Sequence, residues 1–322
     1  YTRRNTLSLH DALPIYWGTS WVAPVDVGRV ATGLSDSQAG GVQVQELDRR
    51  NRKPKVVVSD SLYANHLFLA VFLTLKNTFA LVRLRNNMVF FGCPRPHPKG
   101  KRGAPAKHGP KFKLSVPSRT PDRTETFLLG EQTVILQAWH GLHLKKLAGL
   151  VGTVLRIEFL RPDGTPRYQR PMWLFWTGPD TTPLADLCRM YLWRFAIEHF
   201  FRFCKQHLGL NANQSTDLVS TGNWMWWCTL AYWQLLLMRD EVKASRPAWY
   251  PAGTQTETKA LAPGQVQRSA LGYLVRLGTP AKNTRPAGKG KGRSKGYHPP
   301  VRTRYPVVKK AKNPHNRAVS TA

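Results

Sequence analysis

The chain has 322 residues, 42% of them hydrophobic and 11 of them Trp, enough for one large or two ordinary domains and too apolar for a chain disordered throughout. Lys and Arg number 48 against 18 acidic residues, and the resulting +30 charge points to a polyanionic partner such as nucleic acid, with ribosomal or membrane-surface binding as the competing explanation. The four cysteines, Cys93, Cys188, Cys204 and Cys228, form no CxxC pair and no His-rich cluster, which indicates neither a zinc site nor a disulfide framework and fits a reducing cytoplasm.

Residues 1–15 read YTRRNTLSLHDALPI, and Thr6 to Ile15 look like a translated sequencing adapter, so this stretch is expected to be an artefact that replaces an upstream part of the gene. Trp17 to Val30 alternates around Val25 and Val27 and reads as a strand. Asp36 to Arg50 reads as a helix weakened by Gly40 and Gly41. Lys55 to Ser59, KVVVS, is a β-branched run typical of a strand buried on both faces, and it delivers Asp60 at its C-terminal end. Open α/β sheets place ligand groups there, although Asp is equally a good cap for the helix that follows, in which Tyr63, Leu67 and Phe68 are expected to pack beneath the strand.

Phe79 to Phe91 alternates as a strand or hairpin with Asn86-Asn87 at its turn. The loop from Arg95 to Lys113 then carries seven Lys or Arg among Pro and Gly and no acid, so Arg102, Lys107 and Lys111 are candidate phosphate contacts. Thr124 to Leu136, Leu155 to Leu160 and Pro171 to Trp176 read as short strands, with Asp163-Gly164 at a turn. A long helix begins at Pro183 with Thr181 or Thr182 as its cap, followed by helices from Asp217 to Val242 and from Gly264 to Leu277. The apolar run from Trp224 to Met238 falls short of the roughly 20 residues a membrane span requires. Its Trp224, Trp226, Trp227 and Trp233 are expected in the core rather than stacked on bases. From Lys282 to Arg317 there are twelve basic residues and no acid, the composition of a disordered basic tail that neutralises phosphates without reading sequence.

The strongest pattern is Met190 to Leu210, MYLWRFAIEHFFRFCKQHLGL. At about 100° per residue, Tyr191, Arg194, Glu198 and Lys205 fall at roughly 0°, 300°, 340° and 320°, one narrow polar stripe on an otherwise apolar helix. Arg194 and Glu198 at i,i+4 are also what an ordinary surface ion pair looks like, worth only ~0.2–0.5 kcal/mol.

The spacing Tyr-x2-Arg-x3-Glu-x6-Lys resembles in full the Y-R-E-K motif of one large group of bacterial insertion-sequence transposases of the D-D-E class. The resemblance extends over most of the chain, from about Trp17 to Lys312, and includes a β insertion before the glutamate, an HG-containing basic loop and a basic C-terminus. It implies an α/β (mixed α+β) fold: an RNase H-like catalytic core with a β-rich insertion before the catalytic helix, incomplete at its N-terminus. The implied division is 16–79 for the first part of the core, 80–180 for the insertion with its basic loop 95–113, 181–243 for the core helices, 244–281 for a helical extension and 282–322 for the tail.

The resemblance also implies metal-dependent cleavage of transposon ends and strand transfer into target DNA. Asp60 and Glu198 would be the second and third metal-binding carboxylates, for two Mg2+ ions that Mn2+ can replace, and Tyr191, Arg194 and Lys205 would grip DNA near the cleaved phosphate. The partners would be double-stranded DNA, both terminal inverted repeats and target, and a second copy of the chain, in the bacterial cytoplasm at the nucleoid and not at a membrane. One departure concerns the first carboxylate. Asp26 stands only 34 residues before Asp60, too few for the intervening hairpin and helix, so this ligand is expected to be absent with the N-terminus, and the chain as given is expected to be a truncated, inactive fragment that binds DNA with weak or absent cleavage. A non-catalytic nucleic-acid-binding protein and an RNase H-like structure-selective nuclease are the alternatives.

Overall fold

The computed structural model describes residues 21–28, 30–51, 53–94, 104, 106–242 and 261–276, with positions 296, 298 and 301. All elements lie in one compact unit that ends at Leu277.

Helix α1 (Asp36–Arg50) starts from a capping box in which Ser35 and Gln38 satisfy each other's backbone N–H groups. Its two glycines are sites of close approach: a Cβ at Gly40 would stand 2.7 Å from the Tyr63 ring and one at Gly41 2.9 Å from Val71. Strand β1 (Lys55–Ser59) leads through a short helix α2 (His66–Leu69) and a single turn (Ala70–Leu73) to β2 (Thr78–Leu84), which runs parallel to it. Tyr63 and Phe68 pack beneath the strand as expected, whereas Leu67 points to solvent at 45% exposure because Asn65, not Asp60, caps α2 and sets its rotation.

The remaining strands are β3 (Val89–Gly92), β4 (Lys111–Lys113), β5 (Arg123–Leu129), β6 (Gln132–Leu144), β7 (Leu147–Leu160) and β8 (Met172–Trp176). They join β1 and β2 in one mixed sheet of order β1-β2-β8-β7-β6-β3-β4, with β5 also on β6. The Asn86-Asn87 turn therefore makes no hairpin: β2 pairs with β1 and β8, and β3 pairs with β4 and β6. One edge of β6 serves both β5 and β3, and the change of partner falls at an irregularity between Trp139 and Leu142, where Gly141 takes a φ of 70°. Asp163-Gly164 lies in the turn between β7 and β8, with Gly164 at φ 80°.

Helix α3 (Leu184–Trp193) lies across one sheet face, burying Leu184, Leu187, Cys188 and Tyr191 against Leu81, Leu136, Leu155, Leu174 and Trp176. Its N-cap is Pro183 without a side-chain hydrogen bond, so neither Thr181 nor Thr182 caps it. The other face is filled by Tyr63, Phe68, Phe90, Trp139 and Phe175. A third core joins α4 (Phe195–His207), α5 (Leu218–Met238) and α6 (Pro263–Arg276).

Trp21 to Val27 is part of this helical core and is not a strand. Its four residues Trp21 to Pro24 are all buried, and its polar groups are matched by side-chain contacts rather than by a ladder. The Trp21 indole donates to Leu261 O at 2.6 Å, the Val22 N–H to the Tyr232 hydroxyl at 3.3 Å, and the Trp233 indole to Pro24 O at 2.6 Å. The tryptophans of α5 also depart from expectation. Met225, Cys228, Tyr232 and Leu235 form its buried face, which leaves Trp226 42% and Trp227 68% exposed. No helix among the described residues is long and apolar enough to cross a membrane.

Burial pushes the Cys188 and Cys204 thiols up to about 12, and raises Cys228 as well, while Cys93 is exposed. Thiolate is the reactive form, so at pH 8 the folded chain is expected to react with a thiol reagent at Cys93 alone and at all four cysteines once unfolded, as counted by mass spectrometry. His143, 1% exposed with its Nε2 3.0 Å from His108 Nδ1, is held below the ordinary 6.5 by burial and by the second imidazole. In the window below 6.5 the unfolded chain takes up a proton that the folded one resists, so stability falls as pH falls. Urea titrations between pH 7 and 5.5 are expected to show a shallower loss in His143→Leu than in the parent chain.

Candidate nucleic-acid interface and acidic site

The polar stripe of Met190 to Leu210 does not lie on one straight helix. At Arg194 the backbone bonding tightens, Arg194 N–H to Tyr191 O at 3.2 Å and Ile197 N–H to Arg194 O at 3.0 Å, which ends α3 and starts α4. Tyr191, Arg194 and Glu198 nevertheless line one cavity of about 570 Å³. Arg194 Nη2 donates to Glu198 Oε1 at 2.8 Å, and the guanidinium stands 5.7 Å from the centre of the Tyr191 ring. With Glu198 half exposed, this pair orients the carboxylate more than it stabilises the fold. Lys205 is exposed on the last turn of α4 and does not line the cavity.

Two atoms of this site are buried without a hydrogen-bond partner, the Tyr191 hydroxyl and Arg194 Nε. Tyr191 is only 5% exposed, so its orphaned hydroxyl carries a desolvation cost that a ligand oxygen in the cavity would relieve.

Asp60 follows β1, which is the edge strand of the sheet rather than an interior one. Its Oδ1 accepts the Leu62 N–H at 2.8 Å, which closes a turn and leaves Oδ2 without a partner among the described residues. Asp60 is not part of the Glu198 cavity. Asp26 is held by Gln43 of α1, whose Nε2 donates to Asp26 Oδ2 at 3.2 Å. Among the described residues no group of three His, Cys, Asp or Glu is placed to hold a metal ion. Two carboxylates on separate elements suit a hard cation in donor type but are not a complete ligand set.

Of the candidate phosphate contacts in the basic loop, Lys107 and Lys111 are exposed, Lys111 on the edge strand β4, and Arg102 lies outside the described residues. The basic tail also lies outside them, apart from positions 296, 298 and 301. Sequence reasoning missed four residues that share the Glu198 cavity: Arg83 of β2, and Arg167, Tyr168 and Arg170 of the β7–β8 loop. Arg83 left a signal, being the one exposed position of β2 between the buried Val82 and Leu84. The loop residues left none, since 161–170 are exposed throughout and read as an ordinary turn.

The family model described as a transposase DDE domain matches residues 24–234, a span from the buried Pro24 through most of α5. No curated protein matches the chain.

The orphaned hydroxyl has a direct consequence. Replacing Tyr191 by Phe is expected to raise the stability of the ligand-free chain by about 1 kcal/mol in urea unfolding, because it removes an unsatisfied buried group, and to weaken DNA binding in the same variant.

Proposed function

The chain belongs to the transposase DDE domain family, and from that premise we propose that Glu198, steered by Arg194, and Asp60 are two of the carboxylates at which its DNA is cut and joined. It is a DNA transposase by family, a class that uses divalent metals to transfer phosphoryl groups. The observation that carries the assignment of Glu198 is the cavity it shares with Tyr191 and Arg194, in which a carboxylate, a guanidinium and an unpartnered hydroxyl converge.

Each residue has a definite task in this reading. Arg194 holds Glu198 turned into the cavity, and its remaining donors suit a phosphate oxygen as a planar fork. The Tyr191 hydroxyl donates to a neighbouring phosphate oxygen. Asp60 presents the oxygen that its turn does not use. Lys205, Lys107, Lys111 and Arg102 act at longer range, drawing duplex DNA onto the basic surface. Mg2+, with Mn2+ as substitute, is the ion these carboxylates would help to hold. It would polarise the attacked phosphate, although two carboxylates do not complete its ligand set.

The substrates in this reading are terminal inverted repeats and target DNA, brought together by two copies of the chain at the bacterial nucleoid, in the cytoplasm. The core would be formed by 16–79 and 181–243, with 80–180 as a β-rich insertion, 244–281 as a helical extension and 282–322 as a basic tail.

Glu198→Gln and Asp60→Asn are each expected to abolish whatever residual Mg2+-dependent nicking of inverted-repeat DNA the parent chain shows, with duplex affinity changed less than threefold, read on denaturing gels and by fluorescence anisotropy. Undiminished cleavage in either variant would remove that residue from the site.

A further inference from the structure

The Glu198 cavity holds more positive charge than one ion pair with Glu198 explains. Arg83, Arg167, Arg170 and Arg194 all line it, against the single carboxylate of Glu198. Only Arg194 spends its charge on that carboxylate. Among the described residues, Arg83 and Arg170 make no side-chain hydrogen bond or ion pair. Arg83 is the more telling of the two. It sits on an interior strand between β1 and β8, at a position paired with Leu174, where an uncompensated guanidinium gains nothing for the fold.

Arg167 and Arg170 come from the β7–β8 loop, whose own hydrogen bonds hold it in one shape. Arg161 N–H donates to Thr165 O at 2.9 Å, Gly164 N–H to Arg161 O at 2.9 Å, and Arg167 N–H to Phe159 O at 2.7 Å. The Arg167 guanidinium lies 5.5 Å from the centre of the Tyr168 ring, and that ring stands edge-on to Phe159 at 5.8 Å. Arg170 also lines a second cavity, of about 790 Å³, together with Lys113 and Arg156. Arg170, near the start of β8, thus borders both faces of the sheet: the second cavity lies on the Trp173 face and the Glu198 cavity on the α3 face.

We infer that the Glu198 cavity is a second phosphate grip, in which Arg83, Arg167 and Arg170 hold the backbone of the DNA strand that reaches Glu198. The inference rests on the transposase reading above and adds to it the insertion strands and the β7–β8 loop as substrate-contacting elements. Two independent observations converge on an anionic ligand: the uncompensated arginines, and the buried, unpartnered Tyr191 hydroxyl and Arg194 Nε of two residues that line the same cavity. Guanidinium forks that face one cavity from a strand, a loop and a helix junction suit successive phosphates of one strand better than a single small anion.

The test is the salt dependence of binding by the full chain to a labelled DNA duplex. Each phosphate contact removed lowers the slope of log K against log salt by about 1, so Arg83→Gln and Arg170→Gln are each expected to lose about one unit and the double variant about two. Arg83→Lys, which keeps the charge, is expected to restore the slope, and Arg49→Gln on α1, which breaks only a surface pair with Glu46, to leave it unchanged. Both glutamine substitutions replace exposed side chains, so unaltered urea midpoints are expected to accompany the loss. If the parent chain binds DNA and the double variant keeps its slope, the second grip is overturned while the transposase reading stands. If the parent chain does not bind DNA, both fall. Displacement by inorganic phosphate beyond that by chloride at equal ionic strength, absent in the double variant, would reassign the cavity to a free phosphate and likewise overturn the inference.

Discussion

The packing of α3 on the sheet is the constraint from which the rest of the site follows. Leu184, Leu187, Cys188 and Tyr191 are each at most 5% exposed and meet β2, β6, β7 and β8, and full burial of each apolar side chain is worth about 1.5–3 kcal/mol. Once that face is committed to the sheet, Tyr191 is buried with its hydroxyl at the margin of the core. The chain then has to leave the sheet in order to bury Ile197, Phe200 and Phe203 against α5 and α6. One straight helix cannot serve two cores on different sides, so the bonding tightens at Arg194. That break lets Arg194 meet Glu198 while still stacking near Tyr191.

The sheet also determines what faces this junction. The loop before α3 is tied to the sheet by side chains: Arg123 Nη1 donates to Asp180 O at 2.6 Å, and Thr153 donates to Asp180 Oδ1 at 2.7 Å while its hydroxyl lies 2.9 Å from His140 Nδ1. Asp122 accepts the His140 N–H at 2.7 Å. These bonds join β5, β6 and β7 to the start of α3, so the sheet and the helix that leads to Glu198 are parts of one framework. Cations reach the cavity from β2 and from the β7–β8 loop, which neither local propensity nor the Tyr-Arg-Glu-Lys spacing places there.

The charge distribution accords with DNA as the partner. A net charge of +30 is a self-repulsion that a free protein has no reason to concentrate, and the cavity concentrates it further, with four arginines around one glutamate. The orphaned Tyr191 hydroxyl, buried beside the same cavity, is a further cost to the ligand-free fold.

What the sequence alone determined was local or compositional. The capped helix at Asp36–Arg50, the KVVVS strand that delivers Asp60, the Asp163-Gly164 turn, the helices after Asp217 and Gly264, the polyanion-binding charge and the four-residue spacing that resembles the D-D-E transposases were all legible in it. Propensity, capping and charge act over a few residues and need no knowledge of partners. Tertiary structure decided which strands pair, and so undid the Asn86-Asn87 hairpin. It turned Trp21 to Val27 from an alternating strand into a segment held between helices, and it exposed Trp226 and Trp227 because Met225, Cys228 and Tyr232 claim the buried face of α5. It broke the Met190–Leu210 helix at Arg194 and brought Arg83 into one cavity with a residue 115 positions away, Glu198, because two cores compete for one apolar segment and a sheet joins strands irrespective of their separation in sequence.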